Sequence, residues 1–146
     1  VGGAAAVGLW QDISRDSRQI SVSSADQIIV PRARDGHYYL TAKVNDAAIR
    51  FVVDTGATDM VLTQNDAARA GIDPATLTYL GRANTANGEV RTALVRLNDV
   101  QLGSVTDKDV SAVVNEGEME QSLLGMGYLQ RWGRIEITGG ELILTR

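Results

Sequence analysis

The sequence predicts a mostly β protein built as a single folded domain. From Ile28 onward, apolar residues occur in short, partly alternating runs that are rich in Val, Ile, Leu and Tyr, and Gly, Asn and Asp separate these runs. The chain has 15 glycines in 146 residues, which exceeds the ordinary usage of about 7%. Tight turns are therefore expected to connect most of the strands. A chain of this length suits one domain with one hydrophobic core.

The apolar runs predict nine strands in chain order. They are Ile28–Ala33, Tyr38–Val44, Ala48–Val53, Met60–Leu62, Tyr79–Asn84, Val90–Leu97, Val110–Val114, Arg134–Thr138 and Glu141–Thr145. The pairs Asn45-Asp46 and Gly139-Gly140 are the best candidates for tight hairpin turns, because these residue types adopt a positive φ at low cost.

Two short helices are expected between the strands. Thr63 can cap the first helix, with Asp66 three residues later in a capping-box position, and Gly71 ends it. The second helix is predicted from about Met126 to Trp132, and Gly133 ends it. Its aromatic residues are expected to pack into the core.

The first 27 residues are predicted to be an N-terminal extension or linker, and the folded domain is predicted over residues 28–146. Residues 1–10 are small and apolar and end at Trp10, but a bilayer span needs about 20 apolar residues. They are either a loose chain end or the remnant of a membrane anchor or signal segment. Residues 11–27 are rich in Ser, Asp and Arg without periodicity, which is typical of a linker.

Composition excludes several function classes. Lys and Arg total 14 against 18 Asp and Glu, which gives a net charge of −4, so no nucleic-acid partner is expected. The absence of cysteine excludes a disulfide scaffold, a thiolate metal site and a catalytic thiol. His37 is the single histidine, and it is expected at the surface. No metal or other cofactor is therefore expected, and the chemistry is left to carboxylates, hydroxyls, amines and the backbone.

The most informative segment is an apolar strand that delivers Asp54 directly into a Thr55-Gly56 turn. A continuous apolar run predicts a buried strand, so Asp54 reaches the edge of the core, where an unpaired carboxylate is costly. Gly56 allows a ligand or another backbone to approach closely, and Thr55 offers a hydroxyl. The alternative is that Asp54 only caps a turn. A string of Asp, then Thr or Ser, then Gly, then Ala, Ser or Thr arises by chance on the order of once per hundred chains of this length.

A second motif follows downstream, where Leu123, Leu124 and Gly125 precede the second predicted helix and the last strands. Together with the Asp54 turn, this order resembles the retropepsin-like aspartic proteases, from about Gly36 to Arg146. Upstream of Asp54, the segments Gly36-His37-Tyr38 and Val44-Asn45-Asp46 are similar to those of the bacterial membrane-associated members of this group. The resemblance implies a closed β-barrel with a flap hairpin and one or two short helices.

The resemblance also implies a mechanism that needs two acids. Asp54 would be the catalytic residue, and because one chain carries one such acid, the active form would be a homodimer with its site on the two-fold axis. Two close carboxylates share one proton, so one Asp54 would take a proton from water and the other would donate to the peptide carbonyl. Thr55, Gly56 and Ala57 would support the site. Ala57 stands where related enzymes have a hydroxyl, which predicts a less acidic pH optimum.

The segment between the two motifs is predicted to be the flap that covers a bound substrate. Its polar tip is Thr85, Ala86, Asn87 and Gly88, between β-like arms. The alternative is an ordinary surface hairpin, since most such loops only connect strands.

Two departures bear on the expected dimer. Retroviral members have an acid and an Arg that pair near the dimer interface, and this chain has Thr58 and Met126 at those positions. The C-terminal run Leu142–Leu144 is expected either to supply an intermolecular strand or to form the last core strand of a monomer.

The predicted function is that of an aspartic endopeptidase that hydrolyses polypeptide substrates as a homodimer. The alternative is a catalytically silent peptide-binding or scaffold domain of the same fold. A phosphotransferase with Asp54 as nucleophile is excluded, because Gly56 stands where such sites need a second Asp. The apolar residues 1–10 and the resemblance to bacterial members together imply, as a hypothesis, a location at the bacterial inner membrane, facing the periplasm.

Overall fold

The computed structural model describes residues 21–23, 26–85 and 88–146, with the side chains of residues 26–84 and 88–146. The strands are β1 (Ser21–Ser23), β2 (Gln27–Pro31), β3 (Tyr39–Val44), β4 (Ala47–Val53), β5 (Val61–Leu62), β6 (Gly81–Thr85), β7 (Gly88–Leu102), β8 (Val105–Asn115), β9 (Ser122–Leu124), β10 (Arg134–Thr138) and β11 (Glu141–Thr145). The helices are α1 (Gln64–Arg69), α2 (Met126–Leu129) and a 3₁₀ turn at Pro74–Thr76. None of the helices in these ranges has the length and apolarity needed to cross a membrane.

Six strands close into a β-barrel, as expected. Their order is β3-β4-β9-β5-β8-β7, and the barrel closes where β3 pairs with β7 through Lys43↔Gln101 and Val44↔Val100. β6 adds to the outer edge of β7. A separate sheet, in the order β1-β2-β11-β10, joins the first two described strands to the last two.

The core lies between the barrel strands and this second sheet. Alternate residues of each strand point inward, so that Ile49 and Phe51 of β4 are fully buried together with Ile28 of β2 and Leu142 of β11. The aromatic residues that follow the second motif are buried as predicted. The Trp132 indole donates a hydrogen bond to the Tyr128 hydroxyl at 3.1 Å, and burial raises the pKa of Tyr128.

Both predicted hairpin turns are confirmed. Asn45 and Asp46 have φ values of 48° and 71°, and Gly139 and Gly140 have 58° and 76°. Two successive positive φ angles define the turn that matches the twist of the flanking strands. The predicted cap of α1 is also confirmed, because the Thr63 hydroxyl accepts a hydrogen bond from the Asp66 amide at 3.0 Å.

The predicted ends of β7 and β8 are wrong. The sequence places the ends at Leu97 and Val110, but the two strands continue as one long hairpin to Leu102 and Val105. The predicted strands stop short because the alternation of apolar and polar residues shifts by one position beyond these points.

The phase change reflects a kink that both strands share. In β7 the buried positions shift from odd to even residue numbers across Asn98 and Asp99, and in β8 the left-handed residue Asp109 (φ 57°) marks the same point. Asn45 stabilises the kink, because its side-chain oxygen accepts from the Asn98 amide at 2.8 Å and from the Asp99 amide at 3.3 Å. A polar pair that looks like a loop is therefore part of a bent strand.

Other elements differ from the sequence prediction. α2 ends at Leu129 instead of Trp132, and β6 begins at Gly81 instead of Tyr79. The strands β1 and β9 were not predicted, because three residues are too few for a visible alternation. β1 lies in the segment predicted to be a linker. The boundary between extension and domain at Ile28 stays a prediction.

A buried ion pair joins the chain end to the barrel. The Asp107 carboxylate, 8% exposed, accepts hydrogen bonds from the Arg146 guanidinium and lies 3.7 Å from that of Arg131. Arg146 also stacks 5.1 Å from the centre of the Trp132 ring. The hydrogen bond to Asp107 raises the pKa of Arg146. This cluster fixes β11 and the end of α2 against β8.

Replacing Asp107 with Asn is therefore expected to lower the free energy of unfolding by about 2 kcal/mol, because two guanidinium groups lose their common partner. The matched control is Asp109→Asn, since Asp109 is 72% exposed and, among the described residues, forms an ion pair only with Arg96. Its expected cost is below about 1 kcal/mol. Urea denaturation of both variants measures the difference, and equal costs would contradict this role for Asp107.

Candidate active site

Asp54 stands at the end of β4, where the parallel pairing with β9 fixes its backbone. Val53 lies opposite Leu124 in that pair, and the Asp54 amide donates to the Leu124 carbonyl at 3.0 Å. The carboxylate is half-buried. The two motifs singled out in the sequence are therefore adjacent in the fold, and the second directly supports the first.

The loop after Asp54 folds back onto its own side chain. The Gly56 amide donates to Asp54 Oδ1 at 2.9 Å, and the Ala57 amide donates to the Asp54 carbonyl at 3.1 Å. This is the turn-capping role that the sequence left open for Asp54. It uses one carboxylate oxygen, and among the described residues no group donates to the other, Oδ2.

Backbone hydrogen bonds from α2 hold the far side of the same loop. The Met126 amide donates to the Ala57 carbonyl at 2.9 Å, and the Gly127 amide donates to the Thr58 carbonyl at 2.6 Å. Met126 and Thr58 are the two departures identified in the sequence. Main-chain bonds thus join the two segments at the positions where retroviral members would use a charged pair.

Glycine is required at position 125 by this close packing. A β-carbon there would lie 2.8 Å from the Ala57 carbonyl oxygen and closer still to that of Asp59. At Gly127 a β-carbon would lie 2.9 Å from the Thr58 carbonyl oxygen. These neighbours are backbone atoms of a loop that is itself hydrogen-bonded, so they cannot move aside as a flexible side chain would.

A buried polar network, which the sequence analysis missed, anchors β9 to α1. The Ser122 hydroxyl, fully buried, donates to the Asp66 carboxylate at 2.6 Å and accepts from the Thr63 amide at 3.1 Å. Thr63 and Asp66 are also the capping residues of α1. Asp66 at the capping-box position was visible in the sequence, but its partner lies 56 residues away.

A row of apolar side chains crosses the barrel strands beside Asp54; we call it the outer stripe. Its members lie opposite one another in successive strand pairs and are half-buried or exposed: Tyr39, Val52, Leu123, Val61, Val113 and Leu94. Val52 precedes Asp54 by two residues, so both side chains emerge on the same face. The carboxylate therefore lies at the edge of an apolar surface open to solvent.

The predicted flap segment forms a hairpin at one end of the outer stripe. β6 pairs with β7 from Gly81↔Thr92 to Thr85↔Gly88, and Leu94, 75% exposed, follows two residues after Thr92. Ala86 and Asn87 lie outside the described residues, as does the side chain of Thr85. Gly88 has a φ of 109°, a conformation that favours glycine.

A charged cluster lies at the other end of the outer stripe. The Tyr39 hydroxyl donates to the Asp35 carboxylate, and the Arg50 guanidinium lies 4.1 Å from the centre of the Tyr39 ring. The hydrogen bonds from Tyr39 and from the His37 amide lower the pKa of Asp35, and the bond to Asp35 raises the pKa of Tyr39. His37 is exposed, as predicted.

Within the residues that the structure describes, no three His, Cys, Asp or Glu side chains are grouped in a way that could hold a metal ion. The described part of the site comprises one carboxylate, a glycine-containing turn held by backbone hydrogen bonds and an apolar surface.

Comparison with known proteins gives consistent matches. Residues 40–131 match the family described as "gag-polyprotein putative aspartyl protease". An uncharacterized protein of Rickettsia prowazekii is 42% identical over 118 residues, which are 81% of this chain and 51% of that protein. The chain spans about half the length of the curated relatives it matches.

Solved structures share the fold. A retropepsin-like aspartic protease from Rickettsia conorii is 41% identical, with a TM-score of 0.76, over 83% of this chain and 100% of that chain. The inhibitor-bound EIAV protease is 19% identical, with a TM-score of 0.61, over 74% of this chain and 99% of that chain. At 19% identity, the match to the EIAV protease shows a shared fold alone.

Proposed function

The chain belongs to the retropepsin-like aspartic protease family, and from this premise we propose that it hydrolyses peptide bonds with Asp54 as its catalytic residue. The observation that carries the proposal is the Asp54 carboxylate itself. One of its oxygens is held by the Gly56 amide, while Oδ2 accepts no hydrogen bond from the described residues. A rigidly held carboxylate with a free oxygen is suited to activate a water molecule.

The mechanism requires a second carboxylate, which a second copy of the chain would supply. Two Asp54 side chains at a two-fold axis would share one proton, because two adjacent like charges are costly. The ionised one removes a proton from water, and the protonated one donates to the carbonyl oxygen of the peptide. Thr55, exposed in the single chain, would then contact the partner.

The substrate is proposed to be an extended polypeptide with apolar side chains near the scissile bond. The outer stripe supports this, because it presents apolar groups on the face from which Asp54 emerges. The β6–β7 hairpin would act as the flap, since it stands beside the end of the stripe and its two-residue tip connects long arms.

The direct test is cleavage of an unfolded protein mixture between pH 3 and pH 8. We expect fragments to appear, with a rate that rises faster than linearly with enzyme concentration if dimers form during the assay. The catalytically silent alternative predicts peptide binding without fragments at every pH. Cleavage that persists in an Asp54 variant would contradict the proposal.

Attachment of the protein to the bacterial inner membrane, facing the periplasm, is a further part of the proposal. It is based on the apolar residues 1–10 and on the resemblance to membrane-associated members. Fractionation of cells that express the full-length protein tests it, and recovery of all the protein in the cytosol would contradict it.

Val61 offers a specific test of the outer stripe. Val61→Thr keeps the volume of the side chain and adds a hydroxyl, which at this half-buried position can bind water. The fold is therefore expected to persist while the apolar surface is weakened. We expect kcat/KM to fall about tenfold for peptides with large apolar side chains next to the cleaved bond. Peptides with glycine at those positions serve as the control and should be affected much less. An equal loss for both would contradict the assignment.

A further inference from the structure

Arg50 carries a charge that no acid of the described chain neutralises by contact. Its side chain is exposed on the outer face of β4. Within the described ranges, its guanidinium donates no hydrogen bond and forms no ion pair. Arg91 and Arg96 of β7, by contrast, contact a carbonyl oxygen and an aspartate. The Arg50 guanidinium is therefore open to a group from outside the chain.

The Tyr39 ring determines where this charge lies. The Arg50 guanidinium carbon stands 4.1 Å from the centre of the ring, and a cation–π contact of this kind uses none of the five N–H donors. The Tyr39 hydroxyl donates to the Asp35 carboxylate, which holds the ring. The Gln121 side chain donates to the Arg50 carbonyl, which holds the backbone. The guanidinium is thus positioned before a ligand arrives.

The neighbouring Asp35 carboxylate already has its own donors. It accepts hydrogen bonds from the Tyr39 hydroxyl and, at 2.9 Å, from the His37 amide. The His37 Nδ1 atom lies 3.4 Å from it as well. The described residues include no ion pair between Asp35 and Arg50. Asp35 therefore orients the Tyr39 ring and leaves the guanidinium without a carboxylate.

The guanidinium lies on the face of the sheet from which Asp54 emerges. Arg50, Val52 and Asp54 are spaced by two residues, so their side chains share one face. Tyr39 lies opposite Val52, and the Arg50 guanidinium stands over the Tyr39 ring. The charge is therefore level with Val52, two residues from Asp54, which is about 7 Å along the strand.

We propose that Arg50 binds an acidic side chain of the polypeptide substrate, about two to three residues from the scissile bond. The proposal rests on the proposed function, because it assigns a selectivity to the same site. An extended peptide advances about 3.3 Å per residue, which sets this spacing. A planar guanidinium can donate two parallel hydrogen bonds to one carboxylate. In the proposed homodimer each chain contributes one Arg50, so the acid can lie on either side of the bond.

The test is a scan with peptides that are blocked at both ends, so that a side chain supplies their only carboxylate. Each position up to about four residues from the cleaved bond carries Glu, Gln or Lys in turn. With the wild type we expect kcat/KM for Glu to exceed that for Gln about fivefold at one position or at a symmetric pair. Lys should be the poorest of the three. Salt at about 1 M should weaken the preference, because it screens the charges.

Three variants of Arg50 identify the interaction. Arg50→Gln should remove the preference for Glu over Gln, and Arg50→Glu should reverse it in favour of Lys. Arg50→Lys keeps the charge without the planar pair of donors, so part of the preference should remain. Each preference is a ratio of two rates from the same enzyme sample. Partial unfolding of a variant therefore does not change it.

Lys43→Gln is the matched control. Lys43 is an exposed cation on the outer face of β3, opposite Ala48, and is thus two residues farther along the sheet from Asp54 than Arg50 is. Its replacement removes the same charge, so a general effect of net charge would appear in both variants. We expect Lys43→Gln to keep the wild-type preference.

Equal kcat/KM for Glu and Gln at every position, or a preference that Arg50→Gln retains, would overturn the proposal. The proposed function would survive, since cleavage that requires Asp54 does not depend on this selectivity. Binding of the same peptides to the Asp54→Asn variant separates the opposite case. A preference for Glu in the Kd that requires Arg50, without cleavage by the wild type, would support the acid-binding role and contradict the proposed function. Absence of both cleavage and preference would overturn both.

Discussion

Replacing Asp54 with Asn is expected to reduce peptide hydrolysis by a factor of about 10² to 10⁴, the range for loss of a positioned general acid or base. Asparagine has the shape of aspartate but cannot accept a proton from water at neutral pH. In the proposed dimer both chains would lose the group at once, so no functional carboxylate would be left at the two-fold axis.

The fold should survive this change. The hydrogen bond from the Gly56 amide ends on Asp54 Oδ1, and an asparagine oxygen can accept it in the same way. The matched control is Asp109→Asn, an exposed acid on β8, which should keep full activity. Measurement of initial cleavage rates with the unfolding transitions of both variants separates chemistry from stability. A folded Asp54→Asn protein with wild-type activity would exclude Asp54 as the catalytic residue.

Gly125→Ala is expected to disrupt the site by a different route. The new β-carbon would lie 2.8 Å from the Ala57 carbonyl oxygen and nearer to that of Asp59, so the loop that carries the carboxylate must shift. We expect a loss of about 3 kcal/mol in the free energy of unfolding, at the upper end for overpacking. Residual folded protein should be at least about a hundredfold less active, because displacements near 1 Å at a reacting group have such effects.

Gly71→Ala is the control for this substitution. Gly71 follows α1 with a φ of 86°, and a β-carbon there would contact nothing within 4 Å. Its cost is expected to be about 1 kcal/mol, from the left-handed backbone alone, with no effect on cleavage. Urea denaturation and cleavage rates test both variants. Equal behaviour of the two variants would mean that the close packing at Gly125 is unimportant.

Local signals in the sequence predicted the elements that local physics determines. The strands Arg134–Thr138 and Glu141–Thr145 were predicted with their observed limits, because a Gly-Gly pair between two apolar runs leaves little freedom. Thr63 was identified as a helix cap for a similar reason, since the cap bond spans three residues.

The features that sequence analysis missed depend on contacts between distant segments. The kink at Asn98 is stabilised by Asn45, 53 residues earlier, so its polar residues resembled a loop. The three-residue strand at Ser122–Leu124 exists because β4 and β5 pair with it. Neither partner is visible within a local window.

Only part of the candidate site could be predicted from the sequence, because the rest depends on contacts between distant segments. Asp54 and Gly125 were identified from two short motifs, and the fold places them in adjacent segments. The outer stripe could not be identified, because it is formed by the registers of five strand pairs. Val113 and Leu94 enter it only through pairing with Val61 and with each other. Val52 could have been identified from the sequence, because it lies two residues before Asp54 in a predicted strand.

In the proposed dimer, one active site contains Asp54 from two chains. The most direct measurement mixes the wild type with increasing amounts of Asp54→Asn and follows activity per wild-type chain after the subunits have exchanged. If the site is shared, a ninefold excess of the variant should reduce this activity to about one tenth, since most wild-type chains would then pair with an inactive partner. Activity that is independent of the added variant, under conditions where subunit exchange is demonstrated, would contradict the shared site.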